Sequence, residues 1–322
     1  MALISCVFML LVLCAILVLC AIEPTNRIAI HRDDLEAYIQ RQNNYGFIQE
    51  FKMLPHKFND RTTNHSDAKE NSNKNRYSDI KAYDQTRVKL SQCTTNGMNS
   101  VSDYINANFV TGYKARKQFI CSQGPLESTV NDFWRMVWEQ NIEIIIMLTN
   151  LVENNWIKCT KYWPDLITDT QKFGEISVTL THEQRYADYV VRELKLTRNG
   201  SSCLMGGGKD EKHITQYHFL AWNDYMAPTM SLIRFIRKIN DFYSVQRGPI
   251  LVHCSAGVGR TGTLVALDSL MQQLQDENQV SVFKTVAEMR HQRSSLVQSL
   301  EQYKFLYQAL LEVVKNGSNG SK

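Results

Sequence analysis

The first feature of this sequence is an absence of charge near its start. No Asp, Glu, Lys or Arg occurs from Ala2 to Ile22, where Leu, Val, Ile, Cys and Ala dominate. That length is about enough to cross a bilayer as a helix. The basic n-region of a signal peptide is missing, whereas Arg27 and Arg32 follow the run. By the positive-inside rule, we predict that residues 1–22 form a single-pass membrane anchor, inserted through residues 2–22, with the remainder in the cytosol. A secreted protein with a cleaved signal is the alternative.

Other absences exclude further classes of protein. The eight cysteines, three of them inside the apolar run, have no regular disulfide spacing. The net charge of +4 is mild and no basic run is interleaved with aromatic residues, so we expect no nucleic-acid partner. His253 has no second His or Cys at ligand spacing, so we expect neither a metal nor another cofactor. The sequence also contains no internal repeat.

Length and patterning predict one domain after the apolar run. The polar residues 23–44 are predicted to form a juxtamembrane spacer, residues 45–316 the domain, and residues 317–322 a tail. A continuous apolar run from Ile142 to Leu148 suits a buried strand, and helical periodicity appears from Leu300 to Val314. Such alternation of strand-like and helical blocks predicts an α/β or α+β fold.

One segment carries the main functional signal. Gly248 and Pro249 precede an apolar strand-like run, the loop His253-Cys254-Ser255-Ala256-Gly257-Val258-Gly259-Arg260-Thr261-Gly262 follows, and a helical pattern then begins. A loop that ends at a helix N-terminus presents unpaired N–H groups and the positive end of the helix dipole, which together favour an anion such as phosphate. The same field favours the thiolate form of Cys254. The planar fork of Arg260 could bind the same phosphate oxygens in a bidentate manner.

This loop matches the phosphate-binding loop of the cysteine-dependent protein tyrosine phosphatases. From Asn44 to Val314, the chain resembles a receptor-type member of that family. Further matching segments are Lys74–Tyr77, Asp103–Asn108, Gln123–Pro125, Asp132–Glu139, Lys158–Cys159, Tyr162–Pro164 and Val297–Tyr303. The resemblance implies a highly twisted mixed sheet flanked by helices, one catalytic domain, and hydrolysis of phosphotyrosine in proteins through a cysteinyl-phosphate intermediate.

The resemblance also assigns the chemistry. Cys254 becomes the nucleophile, Arg260 binds phosphate, and Asp224 is the general acid and then the general base. Asp224 lies in a segment that resembles the Trp-Pro-Asp loop of the family and begins at Trp222. Here Asn223 replaces the usual proline, which alters the expected rigidity of the loop and leaves the acid in place.

Other matching positions have supporting roles. Gln298 and Gln302 match the glutamines that position the attacking water, and Gln298 also lies among the residues expected to contact substrate. Thr261 matches the hydroxyl residue that assists breakdown of the phospho-cysteine, with helix N-capping as its structural alternative. His253 is expected to tune Cys254 through hydrogen bonds.

Substrate recognition is expected from a deep slot. Tyr77 matches the aromatic wall that selects the long phosphotyrosine side chain, and Asp79 matches the residue that holds the backbone amides of the substrate. Glu153 matches the residue that orients the arginine, and Lys158 the one that contacts the closing acid loop. The expected phosphate contacts in the loop are Ser255, Ala256, Gly257, Val258, Gly259 and Arg260.

Two other functions fit parts of the pattern. A catalytically inactive phosphotyrosine-binding module would lack the nucleophile, the general acid or the tyrosine wall, and all three are present here. A dual-specificity phosphatase would be shorter and would lack the segment around Tyr77. The active tyrosine phosphatase is therefore the favoured prediction.

Overall fold

The fold is that of a computed structural model, which describes residues 29–92, 102–198, 211–222, 228 and 230–319. The predicted anchor over residues 2–22, the substituted position Asn223 and the predicted acid Asp224 lie outside these described residues. Within the described ranges, none of the helices combines the length and the apolar character needed to cross a membrane.

Strands and helices alternate along the described chain. The strands are β1 (Ile30–His31), β2 (Arg87–Lys89), β3 (Tyr104–Thr111), β4 (Gln118–Ser122), β5 (Ile144–Met147), β6 (Val152–Glu153), β7 (Trp156–Ile157), β8 (Thr170–Phe173), β9 (Ile176–Arg185), β10 (Tyr189–Arg198), β11 (Glu211–Phe219), β12 (Ile250–His253) and β13 (Gln279–Val280). The helices are α1 (Leu35–Lys52), α2 (Asn64–Asp67), α3 (Val130–Glu139), α4 (Ser231–Phe242), α5 (Gly259–Glu277), α6 (Val282–Gln292) and α7 (Leu300–Asn319).

Nine of these described strands form one mixed sheet, in the order β2-β3-β4-β12-β5-β11-β10-β9-β8. At its centre, β12 runs parallel to both β4 and β5. Ile144 and Ile146 of β5 lie in one core cluster, and Ile145 and Met147 lie in the other, as expected for side chains that alternate across a strand. Both faces of the centre are therefore buried. This arrangement confirms the predicted mixed sheet flanked by helices.

The two ends of the described chain meet. Ile30 of β1 pairs with Val280 of β13, and Leu35 at the start of α1 is fully buried. Buried Glu50 of α1 accepts hydrogen bonds from the hydroxyls of Tyr303 and Tyr307 on α7 and, at 2.7 Å, from that of Tyr38. Three hydroxyl donors satisfy a carboxylate that burial would otherwise disfavour.

These contacts bear on the predicted domain limits. Helix α1 crosses the limit expected between residues 44 and 45, and it kinks close to it, at Asn43, where φ is 41°. At the other end, α7 continues past residue 316 to Asn319. Residues 30–44 are therefore packed against the domain through β1 and α1.

Candidate active site

The phosphate loop connects the end of β12 to the start of α5, as the sequence predicts. Gly257 has a φ of +73°, and a Cβ there would lie 2.1 Å from the carbonyl oxygen of Ser122. A Cβ at Gly262 would lie 2.4 Å from the backbone nitrogen of Val297. Only glycine permits both the left-handed conformation and these two close approaches. The glycines thus let the loop and the first turn of α5 pack directly against neighbouring backbone.

The carbonyl groups of the loop all point outward. The carbonyl of His253 accepts from the Leu148 amide, that of Cys254 from the His253 ring, and that of Ser255 from the Gly124 amide. The carbonyls of Ala256 and Gly257 both accept from Arg293. The carbonyl of Val258 accepts from the amides of Gly262 and Val297. In a trans peptide, the N–H of each following residue points the opposite way from the carbonyl. The amides of residues 254–259 therefore point away from these partners, which is the orientation that the predicted anion nest requires.

Cys254 lies at the bottom of this nest and is 4% exposed. The amide of Gly257 donates a hydrogen bond to its Sγ, with N and S separated by 3.2 Å. Burial raises the pKa of Cys121 to about 12 and raises the pKa of Cys159 as well, so those two thiols stay protonated. Cys254, by contrast, lines a cavity, and its Sγ accepts a hydrogen bond from a backbone amide.

A cavity of about 70 Å³ opens above the sulfur. It is lined by Tyr77, Asp79, Ile80, Cys254, Ser255, Ala256, Gly259, Arg260 and Gln298. Eight of these residues were predicted as site residues, and Ile80 was not. The described part of the chain contains no group of three or more His, Cys, Asp or Glu that could hold a metal ion.

Arg260 is held by fixed acceptors. Its Nη1 and Nη2 donate to the two carboxylate oxygens of Glu153, at 2.7 and 2.6 Å. Nη1 also lies 2.8 Å from the carbonyl oxygen of Leu148 and 3.1 Å from that of Trp222, the residue that precedes the acid loop. Burial pushes the pKa of Glu153 upward, but the hydrogen bonds and the charge of Arg260 outweigh it, so the net pKa is lowered. The pair is therefore ionised and bidentate.

His253 is part of a buried chain of hydrogen bonds. Burial lowers its pKa to about 4, so the ring is neutral near pH 7. Its Nδ1 lies 3.1 Å from the carbonyl oxygen of Cys254 and must be the donor there. Nε2 therefore accepts from the Tyr162 hydroxyl at 2.8 Å, and that hydroxyl accepts from Gln216 at 2.7 Å. The chain fixes the tautomer of His253 and the peptide plane that follows Cys254.

The recognition segment is attached to the rim of the cavity. Tyr77 donates from its hydroxyl to Ser255 Oγ at 2.9 Å, because that Oγ already donates to the carbonyl of Lys158 at 3.0 Å. Arg76 donates to the carbonyls of Gly124 and Pro125, so two of the segments that resemble the family meet at this point. Half-buried Tyr77 and exposed Asp79 thus stand beside the nest.

The two glutamines lie next to the first residue of α5. A Cβ built on Gly259 would lie 3.1 Å from Gln302 Nε2 and 3.3 Å from Gln298 Oε1. The side chain of Gln302 is buried, and its Oε1 accepts from the Gln298 amide at 3.1 Å. Gln298 also lines the cavity above Cys254, whereas Gln302 contacts Gly259 but is not among the residues that line that cavity.

Thr261 does not cap α5, because the N-cap residue is Val258. The Thr261 hydroxyl is buried, and no hydrogen-bond partner for it lies among the described residues. The capping alternative is therefore wrong. The contact predicted between Lys158 and the acid loop involves residues outside the described ranges, although the Lys158 carbonyl does support Ser255.

Sequence reasoning missed Arg293. This side chain is completely buried and donates to the carbonyls of Gly257 at 2.9 Å and Ala256 at 3.1 Å. It also donates to the side chains of Asn108 at 2.7 Å and Asn106 at 2.9 Å. The two asparagines are two residues apart on β3 and so share a face of the sheet. Their spacing in the sequence could have predicted that a buried polar side chain packs against that face.

Comparison with known proteins agrees with this geometry. The family model of the protein-tyrosine phosphatases matches residues 71–312. Tyrosine-protein phosphatase 69D of Drosophila melanogaster is 60% identical over 88% of this chain and 19% of its own length. A receptor-type tyrosine-protein phosphatase of Caenorhabditis elegans is 40% identical over 90% of this chain and 21% of its own length. Human receptor-type tyrosine-protein phosphatase alpha is 42% identical over 87% of this chain and 34% of its own length.

This chain spans about a fifth to a third of the length of these relatives. The family model nevertheless covers three quarters of the chain, and the matched range includes both the phosphate loop and the recognition segment. The chain belongs to the protein-tyrosine phosphatase family, and its domain is related to the catalytic domains of the receptor-type members.

Proposed function

We propose that this chain hydrolyses phosphotyrosine in proteins through a cysteinyl-phosphate intermediate. The observation that carries the proposal is that Cys254, whose Sγ accepts a hydrogen bond from the Gly257 amide, and Arg260 line one cavity together with other residues of the loop. Such a site binds a phosphate dianion in line with a nucleophile and stabilises the charge that develops in the transition state.

In the first step, the Cys254 thiolate attacks phosphorus, an S–P bond forms, and the P–O bond to the tyrosine ring breaks. The electron pair of that bond leaves with the phenolate oxygen, which is a poor leaving group until it is protonated. Asp224 is proposed to supply this proton. Its segment begins at Trp222, whose carbonyl oxygen lies 3.1 Å from Arg260 Nη1, so the loop starts beside the phosphate site.

In the second step, water attacks phosphorus and the S–P bond breaks, which releases inorganic phosphate and regenerates the thiolate. Asp224, now ionised, takes the proton from that water. Gln298 and Gln302 are proposed to orient the water, which is supported by their position beside Gly259 at the edge of the nest. The Thr261 hydroxyl, which is buried and has no hydrogen-bond partner among the described residues, is proposed to donate to the departing thiolate.

Substrate choice is proposed to follow from depth. Tyr77 is tethered to Ser255 at the rim, so its ring forms one wall of a slot that ends at Cys254. A phosphotyrosine side chain reaches the sulfur from the rim, whereas the shorter phosphoserine and phosphothreonine side chains do not. Asp79 is proposed to accept hydrogen bonds from the backbone amides of the substrate.

The reaction is tested with two variants of the full chain. Cys254→Ser is expected to abolish turnover of a phosphotyrosine peptide while leaving its binding measurable by calorimetry, because the Arg260 fork and the loop amides remain. Asp224→Ala is expected to slow a substrate with a poor leaving group by about 10²–10⁴-fold and an activated aryl phosphate much less. Turnover of phosphoserine peptides at equal rate, or turnover retained by Cys254→Ser, would overturn the assignment.

Residues 2–22 are proposed to anchor the enzyme in a membrane, with the catalytic domain in the cytosol. The proposal is supported by the uncharged run, by Arg27 and Arg32 after it, and by the receptor-type relatives. A reporter fused after Lys322 should be unglycosylated and inaccessible to protease added to intact cells. Recovery of glycosylated protein in the medium would favour the cleaved signal instead.

A further inference from the structure

The short hairpin of β6 and β7 carries exposed Trp156 on one strand and, on the other, Glu153, which binds Arg260. The hairpin turns through Asn154 and Asn155, whose φ angles of 51° and 64° are both positive. Two consecutive left-handed residues are typical of a tight two-residue turn, and asparagine tolerates this conformation well. The turn therefore fixes the register of the four residues around it.

That register decides which way Trp156 points. Glu153 pairs directly with Trp156, and Val152 pairs with Ile157. Directly opposed residues of an antiparallel pair place their side chains on the same face. Because the Glu153 carboxylate binds Arg260, the indole of Trp156 lies on the face of the hairpin that is turned toward the catalytic site. Val152 and Ile157 share the other face.

The Trp156 side chain is 73% exposed, so its burial contributes little to the stability of the fold. Arg76, the residue before Tyr77, donates from Nη1 to the carbonyl of Ile157 at 3.2 Å, which ties the hairpin to the recognition segment. Large, rigid aromatic side chains that are exposed on a fixed backbone often supply most of the binding energy of a recognition surface.

We propose that Trp156 is a specificity-determining residue, which packs against an apolar side chain of the substrate close to the phosphotyrosine. This inference rests on the proposed function and names a subsite for it. The exposed indole favours an apolar partner, because its ring offers a large apolar contact area. Arg76, which is bonded to the hairpin, and Lys158, which follows Ile157, disfavour a cationic side chain there.

The test compares Trp156→Ala with Ile157→Ala in the full chain. Ile157 is the matched control, because it is the next residue, is 68% exposed and lies on the opposite face of the hairpin. Three substrates are used: an activated aryl phosphate, a phosphotyrosine peptide with serine at the three positions on each side, and a set of peptides in which leucine replaces one of those serines at a time.

We expect the unmodified protein to prefer at least one leucine peptide over the serine peptide. Trp156→Ala should lower kcat/KM for that peptide about five- to thirtyfold, through KM, and should leave the aryl phosphate and the serine peptide within twofold. Ile157→Ala should change none of the three. Trp156→Phe should retain part of the preference.

Two results would overturn the proposal. Equal losses for the aryl phosphate and the leucine peptide would mean that Trp156 acts on Glu153 and Arg260 or on the acid loop, and an unmodified protein that hydrolyses all peptides equally would remove the subsite. Failure of the proposed function looks different, because the unmodified protein would then hydrolyse none of the phosphotyrosine peptides.

Discussion

At the scale of single residues, the site depends on groups that hold the catalytic ones in place. Arg260 is fixed by the two oxygens of Glu153 and by two backbone carbonyls, and the loop carbonyls of Ala256 and Gly257 are fixed by Arg293. Neither Glu153 nor Arg293 has to touch the reacting atoms. In the proposed mechanism, both set the orientation of the groups that bind phosphate, and a misplacement of about 1 Å can cost about 10²-fold in rate.

Glu153→Gln tests the contact between Glu153 and Arg260. The neutral amide can accept only one of the two guanidinium donors, so we expect Arg260 to lose its fixed orientation and kcat/KM to fall about ten- to hundredfold. Glu175→Gln, which removes a carboxylate from the exposed pair with Arg198, should leave kcat/KM unchanged. An increase in phosphate affinity of Glu153→Gln would mean that the lost negative charge matters more than the lost geometry.

Arg293→Lys tests the contacts between Arg293 and the loop carbonyls. One ammonium group cannot reach the four acceptors that the guanidinium contacts, so buried carbonyl and amide groups are left unsatisfied. We expect the free energy of unfolding to fall by about 3 kcal/mol and kcat/KM to fall with it. Arg198→Lys, on the surface, should change the free energy of unfolding by less than about 0.5 kcal/mol in the same urea titration.

At the scale of elements, the unit of β12, loop and α5 is the part of the site that the sequence specifies most fully. Its motif is continuous, and the residues before and after it have strand and helix patterns of their own. The role of Arg293 could not be predicted in the same way, because it depends on how α6 and β3 pack around the loop. The position of Tyr162 under His253 likewise follows from tertiary structure, since 91 residues separate the two.

Gly257→Ala tests the loop as a unit. A methyl group would lie 2.1 Å from the Ser122 carbonyl oxygen at a φ of +73°, so the loop must move and its amides must turn away from the anion. We expect kcat/KM to fall by at least about 10²-fold. Gly174 offers the matched control, because its φ is +61° and a Cβ there would meet nothing closer than 3.6 Å.

Gly174→Ala should therefore cost only the backbone strain of about 1 kcal/mol in the free energy of unfolding, with kcat/KM unchanged. If Gly257→Ala behaved like Gly174→Ala, the inward-facing amides would not be needed for catalysis.

At the scale of the whole molecule, two buried histidines give the fold an acid limit. Burial lowers the pKa of His253 to about 4 and that of His218 to about 3. In the unfolded chain both titrate near 6.5, so below that pH the unfolded state binds more protons than the folded state. Their contribution to stability is complete above pH 6.5 and is lost as the pH falls toward their folded pKa values.

Between pH 6.5 and 5, we expect the free energy of unfolding to fall by up to about 1.4 kcal/mol per pH unit for each histidine. His218→Gln should remove about half of this slope in urea titrations at several pH values, and His182→Gln, at an exposed position, should not change it. Equal slopes in all three proteins would show that carboxylates alone set the acid limit.

The overall fold could be predicted from the resemblance and from the alternation of apolar strands and helices, and the mixed sheet confirms it. The packing of the N-terminal segment could not. Residues 30–44 have a polar composition, which favoured a spacer, yet Leu35 is fully buried and β1 pairs with β13. A few buried residues decide where such a segment packs, and the average polarity of the segment does not reveal them.

The hydrogen bonds from Tyr303 and Tyr307 to Glu50 would also transmit a pulling force from α1 to α7. Tension applied at residue 29 would load β1 against β13 and α1 against α7 in shear, and Tyr303, which holds Glu50, directly follows Gln302. A slip of α1 by one helical turn would break the hydrogen bonds to Glu50 and so disturb Tyr303, the neighbour of Gln302. A stretching experiment with a handle at residue 29 would register this slip as a small extension that precedes the rupture of the sheet.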